Sequence, residues 1–327
     1  MTSLFGFDKK PTMNITINIR LIIVTGLAAC IALCAMLGTA RGQQIYETNN
    51  SGTVGEYNAT TGATINSSLV SYNSSGAAGI AVFGGNLWVG NYFANTVGEY
   101  NATTGATINS SLVSLNTPFG VAVSGGNLWV TSNSGGTIGE YNATTGATIN
   151  ASLVSGLSGP QLIAVSGGNL FVANTGAGTI GEYDAATGAT VNASLVSGLS
   201  GPAGVAVSGG NLWVTNYSAG TIGEYNAITG ATINSSLISG LSNPAGIALY
   251  GGNLFVINNT NGRIGEYNAI TGATINSSLV SGLNGPYGIA VVPEPSTWAA
   301  GLLAVGALLF SIWRRSAGCL RRGTHAC

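Results

Sequence analysis

"GPAGVAVSGGNLWVTNYSAGTIGEYNAITGATINSSLISGLS", residues 201–242, is the stretch that decides the fold, because the chain repeats it with small changes along most of its length. The motif Gly-Glu-Tyr marks each copy. Successive glutamates of this motif are 41 to 43 residues apart, at Glu56, Glu99, Glu140, Glu182, Glu224 and Glu266. A period of this length is typical of solenoids and propellers.

Each repeat predicts four short β-strands. In the quoted unit these are "GVAV", "NLWV", "TIGEYN" and "ATINSSL". They are separated by Ser-Gly-Gly, by an Asn/Ser/Gly loop and by Ala-Ile-Thr-Gly, which are turn sequences that tolerate positive φ. Four strands in about 42 residues is the pattern of a propeller blade.

The two ends of the repeat region complete each other. The last unit stops after its first strand, "GIAVV" at 288–292, whereas the first unit begins at its second strand, with Ile45-Tyr46-Glu47 in the place of Leu-Trp-Val. Pairing the two ends leaves no open edge at the seam, whereas an open solenoid needs capping repeats. We therefore predict an all-β, six-bladed β-propeller over residues 43–292, closed by pairing the N-terminal and C-terminal parts of one blade. A β-solenoid with two coils per repeat is the alternative.

The repeat resembles a known group of propellers. The motifs Gly-Pro-x-Gly-[Ile/Val]-Ala-Val, Gly-Asn-Leu-[Trp/Phe]-Val and Thr-Ile-Gly-Glu-Tyr, over residues 44–292, are similar to those of NHL-type and streptogramin-lyase-like propellers. The resemblance implies the propeller fold. It leaves the activity open, since one fold hosts many functions. A lyase of this type would need a catalytic base and metal-binding carboxylates near the channel.

Composition restricts the chemistry of the repeat region. Residues 43–292 contain eight acidic residues and a single basic one, Arg263, for a formal charge of −7, and no Lys, His or Cys. Nucleic-acid binding depends on basic residues, so we expect no nucleic-acid partner. Ser–His–Asp and Cys–His catalysis and Cys/His zinc sites are excluded. We therefore predict no enzyme, no cofactor and no metal, and a structural role for the six glutamates, each bonding a neighbouring turn or a tyrosine hydroxyl.

The N-terminal segment predicts a secretory signal peptide at residues 1–42. Lys9, Lys10 and Arg20 precede the apolar run "LIIVTGLAACIALCAML" at 21–37, and small residues follow it. A basic region, an apolar region and small residues before the mature start are typical of export signals.

The C-terminal segment, "VPEPSTWAAGLLAVGALLFSIWRR" at 292–315, predicts a short transmembrane helix at 298–313. As a helix this run reaches about 24 Å, against about 30 Å of hydrocarbon core. The segment 293–315 resembles the PEP-CTERM sorting signal, and the residues that carry the resemblance are Pro293, Glu294, Pro295, Arg314 and Arg315. The resemblance implies export, transient anchoring in the inner membrane and recognition by an exosortase. Residues 316–327 are predicted to be a short basic tail.

Positions that differ between repeats predict the functional face. They concentrate in the loops from second to third strand and from fourth strand to the next first strand, which share one face of a propeller. The residues are Tyr72, Tyr92, Phe93, Phe119, Gln161, Tyr217, Asn243, Asn259, Arg263 and Tyr287. Aromatic rings with amides and hydroxyls suit a neutral polysaccharide; drift in unselected surface loops is the alternative. The aromatics of the second strands are instead predicted to pack between blades.

These features together predict an exported bacterial protein of the cell surface or exopolysaccharide layer, with a non-catalytic binding or structural role. Its expected partners are an exosortase, the membrane before processing, and exopolysaccharide. Two alternatives stay open: a metal-dependent lyase or lactonase, and a self-assembling surface-layer component.

Overall fold

The structure is a computed structural model that describes residues 43–72 and 76–292. The predicted signal peptide at 1–42, the sorting signal at 293–315 with its transmembrane helix, and the tail at 316–327 lie outside the described residues. Residues 43–72 and 76–292 contain no helix that could span a lipid bilayer.

The described residues form six antiparallel sheets of four strands, which confirms the six-bladed propeller. Blade 1 is β4 (Ala77–Phe83), β5 (Asn86–Asn91), β6 (Thr96–Asn101) and β7 (Thr107–Ser114). Blade 2 is β8 (Pro118–Ser124), β9 (Asn127–Ser132), β10 (Thr137–Asn142) and β11 (Thr148–Val154). Blade 3 is β12 (Pro160–Ser166), β13 (Asn169–Asn174), β14 (Thr179–Asp184) and β15 (Thr190–Val196).

Blade 4 is β16 (Pro202–Ser208), β17 (Asn211–Asn216), β18 (Thr221–Asn226) and β19 (Thr232–Ile238). Blade 5 is β20 (Pro244–Tyr250), β21 (Asn253–Asn258), β22 (Arg263–Asn268) and β23 (Thr274–Ser281). The closing blade is formed by both ends of the repeat region: β24 (Pro286–Val292), β1 (Gln44–Asn49), β2 (Thr53–Asn58) and β3 (Thr64–Ser71), in that spatial order. The predicted pairing of the two ends is therefore confirmed.

The first strand of each blade lies at the central channel, and neighbouring first strands contact one another around the ring, including β24 with β4. The glycine of Gly-Pro-x-Gly permits this close approach. A Cβ atom on Gly120 would collide with the carbonyl oxygen of Gln161 in the next blade, and one on Gly204 with that of Ala245. Backbone contact between blades thus explains the glycine that five of the six blades have at this position.

The core consists of hydrophobic clusters between neighbouring blades. Phe171 of blade 3, for example, packs in one cluster with Leu212 and Val214 of blade 4. The second-strand aromatic also reaches across the gap, since Trp213 Nε1 donates a hydrogen bond of 3.1 Å to the carbonyl oxygen of Ala269. The prediction that these aromatics pack between blades is confirmed.

The propeller has two faces with different chemistry. The loop face carries the connections from second to third strand and from fourth strand to the next blade. The turn face carries the Gly-Gly turns and the Ala-x-Thr-Gly turns, which hydrogen bond each other, as Ala102 N does to Gly85 O at 2.9 Å. In the closing blade Ala59 N bonds Gln43 O at 2.7 Å instead. The described chain therefore begins and ends on the turn face.

Every outer strand is interrupted by a β-bulge. In the closing blade Glu56 pairs with Asn66 but Tyr57 pairs with Thr64, and the same register shift occurs in the other five blades. The Asn66 side chain accepts a 3.0 Å hydrogen bond from Ser68 N at the bulge. Bulges bend an exposed edge and make it a poor template for strand pairing.

Candidate functional site

Four aromatic rings form a chain of edge-to-face contacts on the loop face. Tyr92 and Phe93 lie in the loop after β5, Phe119 on β8 and Tyr287 on β24. The ring centroid of Tyr92 is 5.1 Å from that of Phe93 and 5.8 Å from that of Phe119. The ring centroids of Phe119 and Tyr287 are 5.0 Å apart. These distances are in the range of stabilising aromatic pairs. The structure thus brings four of the predicted site residues into one aromatic chain.

The mouth of the central channel is bridged by one side-chain pair. Tyr287 Oη donates a 2.6 Å hydrogen bond to Gln161 Oε1, although the two residues belong to opposite blades of the ring. Burial, with a smaller contribution from neighbouring Tyr217, raises the pKa of the Tyr287 hydroxyl. The phenol therefore stays neutral and remains a hydrogen-bond donor at physiological pH.

A cavity of about 320 Å³ opens beside this bridge. It is lined by Phe119, Gln161, Thr175, Gly201, Tyr217, Ser218 and Tyr287. The repeat position that holds Phe119, Gln161 and Tyr287 in three blades holds alanine in the other three, at Ala78, Ala203 and Ala245. The residues around the cavity come from blades 2, 3 and 4 and from the closing blade.

The lining of the cavity is aromatic and polar but uncharged. Its side chains offer two phenol groups, one amide and two hydroxyls. The volume lies at the lower end of the range for small-molecule sites, about 300–1,000 Å³. Such a lining can stack against a flat apolar surface and hydrogen bond neutral polar groups at the same time.

Hydrogen bonds fix the loops around the cavity. Tyr217 Oη donates to Asn259 Oδ1 at 3.4 Å, and Asn259 Nδ2 donates to the carbonyl oxygen of Pro286 at 2.8 Å. Asn243 Nδ2 donates to Tyr217 O at 3.2 Å. The predicted residues Tyr217, Asn243 and Asn259 therefore connect the loops of blades 4 and 5 to the strand that carries Tyr287.

Two predicted site residues lie elsewhere. Tyr72 is partly buried in the hydrophobic cluster between the closing blade and blade 1, and its hydroxyl donates to Thr53 O at 3.4 Å. Arg263 is exposed at the start of β22. Neither lines the cavity.

Sequence reasoning missed three residues of the cavity, Thr175, Gly201 and Ser218. Thr175 occupies the same repeat position as Tyr92 and Tyr217, so a position-by-position comparison of the loops would have found it. Ser218 occupies the repeat position of Phe93, which varies between blades, so the same comparison would have found it, whereas Gly201 has glycine counterparts at Gly159 and Gly285 and gives a weaker signal.

The repeated glutamates bond within their own blades. In blades 1 to 5 the third-strand carboxylate accepts a hydrogen bond of 2.6–2.8 Å from the side-chain amide of the asparagine that begins the second strand. This partner differs from the turn or tyrosine hydroxyl that we expected. Burial raises the pKa of Glu99, Glu140 and Glu224. Within the described ranges no group of three or more His, Cys, Asp or Glu residues could hold a metal ion.

Solved structures with this fold include chains of different function. One is a chain of a nidogen/laminin complex, with a TM-score of 0.68 and 14% identity, covering 77% of this chain and 99% of that one. Another is streptogramin B lyase, with a TM-score of 0.56 and 17% identity, covering 75% and 82%.

A third is a histidine-to-alanine variant of virginiamycin B lyase from Staphylococcus aureus, described as catalytically inactive, with quinupristin. Its TM-score is 0.58 at 17% identity, and the alignment covers 78% of this chain and 94% of that one. No curated protein sequence matches. At such identities these structures support the fold, while the family follows from a match of the virginiamycin B lyase family model to residues 35–309. The chain belongs to the virginiamycin B lyase family.

Proposed function

We propose that this protein is an exported, non-catalytic component of the bacterial cell envelope whose loop face binds a neutral, hydroxyl-rich ligand such as exopolysaccharide. One observation carries the proposal: the cavity of about 320 Å³ combines three aromatic side chains with amide and hydroxyl groups and no charged side chain. A sugar ring presents an apolar C–H face and a rim of hydroxyls, which match such a lining.

Each part of the cavity has a role in this function. Phe119 and Tyr217 supply aromatic surface for a sugar ring, while Thr175 and Ser218 supply hydroxyls that donate and accept hydrogen bonds. Gln161, which lines the cavity, is held by Tyr287 through its amide oxygen, so its amide NH₂ group keeps its donors for a ligand. A side chain ordered before binding loses less entropy when the ligand arrives.

The proposed export to the cell envelope is supported by the amino-acid sequence. The predicted signal peptide at 1–42 and the PEP-CTERM-like segment at 293–315 support export and sorting by an exosortase, with the membrane as a transient partner. A glycan-binding face would then act in the exopolysaccharide layer or at the outer surface.

Co-sedimentation of the full chain with the host's exopolysaccharide tests the binding. Ser218→Trp places a large side chain in the cavity, whereas Ser134→Trp makes the same change at the same exposed loop position of blade 2, outside the cavity. We expect Ser218→Trp to weaken retention by about tenfold or more, equivalent to about 1.4 kcal/mol, and Ser134→Trp to leave it unchanged. Equal retention of the wild type and both variants would contradict the cavity as the binding site.

A second candidate function, a lyase, is supported by the family to which the chain belongs. The test incubates the full chain with quinupristin, once with Mg²⁺ and once with a chelator. Liquid chromatography then measures how much quinupristin is consumed. Turnover that the chelator abolishes would favour the lyase. We expect no turnover, because the single histidine of the sequence, His325, lies outside the propeller and neither Lys nor Cys is present in residues 43–292.

A further inference from the structure

We propose that the ligand of the cavity is an internal stretch of a neutral glycan chain, which leaves the cavity along an aromatic ridge formed by Tyr287, Phe119, Tyr92 and Phe93. The proposal rests on the proposed function, since it names the kind of glycan that the loop face binds. It distinguishes a face that binds along a polymer from a pocket that takes a single sugar or a chain end.

The aromatic ridge continues the wall of the cavity. Phe119 and Tyr287 line the cavity, and the same two rings begin the ridge, with centroids 5.0 Å apart. The next ring, Tyr92, lies 5.8 Å from Phe119, and Phe93 lies 5.1 Å from Tyr92. Neither Tyr92 nor Phe93 lines the cavity. Each step is about the width of one sugar ring, so a sugar stacked on Phe119 has further aromatic surface beside it for the next units of a chain.

The far end of the ridge is exposed, and the scaffold does not require it. Phe93 is 67% accessible to solvent, whereas the other three rings are partly buried. The other continuous blades have small residues at the repeat position of Phe93, at Ser134, Gly176, Ser218 and Thr260. An exposed aromatic side chain that extends a row of aromatic rings is typical of an interaction surface.

The loops that carry the ridge are uncharged. The segments 91–95 and 115–119 contain no acidic or basic residue, and their polar side chains are asparagine amides and a threonine hydroxyl. Aromatic rings beside amides and hydroxyls match the C–H faces and hydroxyl groups of neutral sugars. The ridge therefore has the same chemistry as the cavity and lacks the cations that an acidic polysaccharide would attract.

The two loops of the ridge are fixed to each other before a ligand binds. Thr117, two residues before Phe119, has a φ of 47°, which is strained for a β-branched residue. Its backbone N–H donates a 2.8 Å hydrogen bond to Asn95 Oδ1, in the loop of Phe93, and its hydroxyl oxygen accepts one of 2.9 Å from Ser134 N. Three other blades have glycine at this position, at Gly159, Gly201 and Gly285. Rings that are ordered in this way before binding lose less entropy when a glycan arrives.

Calorimetric titration of the full chain with fragments of the host's neutral exopolysaccharide tests the ridge. The polysaccharide is partly hydrolysed, and the fragments are sorted into short ones of two sugar units and long ones of eight. Phe93→Ala removes the exposed end of the ridge, and Phe93→Trp keeps an aromatic side chain there. The matched control, Phe83→Ala, makes the same change at an exposed phenylalanine of the same blade, on the turn face.

We expect the wild type to bind long fragments more tightly than short ones. Phe93→Ala should weaken the binding of long fragments about three- to tenfold and leave that of short fragments, which fit in the cavity, unchanged. Phe93→Trp and Phe83→Ala should keep the wild-type affinity for both. Equal affinity of the wild type for both lengths, or long-fragment binding that Phe93→Ala does not weaken, would overturn the proposal while the cavity stays the binding site. If neither length binds, the proposed function fails, and the ridge proposal fails with it.

Discussion

The closing blade and the five continuous blades have the same architecture but are assembled differently. In blades 1 to 5 the first two strands are joined by a Gly-Gly turn, whereas in the closing blade β24 and β1 come from opposite ends of the repeat region and pair without a connecting turn. The second strand reads Gln-Ile-Tyr-Glu-Thr-Asn in β1 and Asn-Leu-Trp-Val-Thr-Asn in β17 of blade 4. The comparison shows which interactions of the second strand are kept where the ring closes and which residues of the repeat can change there.

Contacts between blades are kept at the seam. Thr48 Oγ1 donates to the carbonyl oxygen of Ala78 at 2.7 Å and accepts from Gly288 N at 2.9 Å. Thr215 in blade 4 makes the same pair of hydrogen bonds, to Ala245 O at 2.6 Å and from Gly204 N at 2.7 Å. Tyr46 replaces tryptophan, yet its hydroxyl still donates to the next blade, to Ala102 O at 3.0 Å. Closure therefore uses the same threonine interactions that Thr131 and Thr215 make at other blade interfaces.

A buried acid is the feature that differs. Glu47 is fully buried at the position where the other five blades have valine, at Val89, Val130, Val172, Val214 and Val256. Its Oε1 accepts a 3.1 Å hydrogen bond from Asn49 Nδ2 and lies 3.5 Å from the Tyr57 hydroxyl. Burial, only partly offset by these two hydrogen bonds, raises the pKa of Glu47 to about 7.

The largest effect is expected from removing the strand that closes the ring. A chain that ends at Asn284 lacks β24, so that β1 becomes an unpaired edge and Thr48 loses its partner Gly288. We expect loss of cooperative unfolding, because β24 contacts β1, β4, β20 and β21, whereas a typical domain is stabilised by only about 5–15 kcal/mol. A chain that ends at Pro293 keeps β24 and is the control. Thermal unfolding followed by circular dichroism measures both, and cooperative unfolding of the shorter chain would show that closure is dispensable.

The next effect concerns the acid at the seam. Because the pKa of Glu47 is raised when the protein folds, this group contributes most to the free energy of unfolding below pH 4.5. The contribution is lost as the pH rises through about 7. From pH 4.5 to 8 this one group lowers the free energy of unfolding by about 3 kcal/mol. Glu47→Val should therefore raise that free energy at pH 8 by about this amount.

Urea unfolding at pH 5 and pH 8 measures the change. The third-strand glutamates with raised pKa contribute in the same direction, so the variant keeps a weaker pH dependence. Val214→Glu in blade 4 is the reciprocal variant and should introduce the same loss between pH 5 and 8. A wild-type protein equally stable at both pH values would contradict a buried, protonating Glu47.

The scaffold could be predicted from the sequence because the information is local and repeated. Four strand patterns in each of the repeats, and the two half-units at 44–71 and 288–292, determine strand count and closure. The Tyr287–Gln161 bond could not be predicted, since its residues are 126 positions apart and meet only across the assembled channel. Glu47 could be aligned with valine, but the cost of burying a carboxylate there depends on tertiary packing that the sequence does not state.

The smallest effect is expected from removing the threonine hydrogen bonds, at the seam and in a continuous blade. Thr48→Val at the seam and Thr215→Val in blade 4 each leave a buried N–H and a buried carbonyl without their threonine partner. We expect each change to lower the free energy of unfolding by about 2 kcal/mol. Urea unfolding of the two variants measures the difference. A neutral Thr48→Val beside a costly Thr215→Val would show that the seam is held by something other than the contacts of the continuous blades.

The cavity beside Tyr287 and Gln161 lies on one side of the ring, because the residues that line it differ between the six similar blades, and this asymmetry is the central claim. Its most direct test is calorimetric titration of the full chain with oligosaccharides released from the host's exopolysaccharide. One site per chain, lost in Ser218→Trp and kept in Ser134→Trp, is the predicted result. A stoichiometry near six would place binding on the repeated surface, and the absence of any heat of binding together with unchanged retention of Ser218→Trp would contradict the cavity as a glycan site.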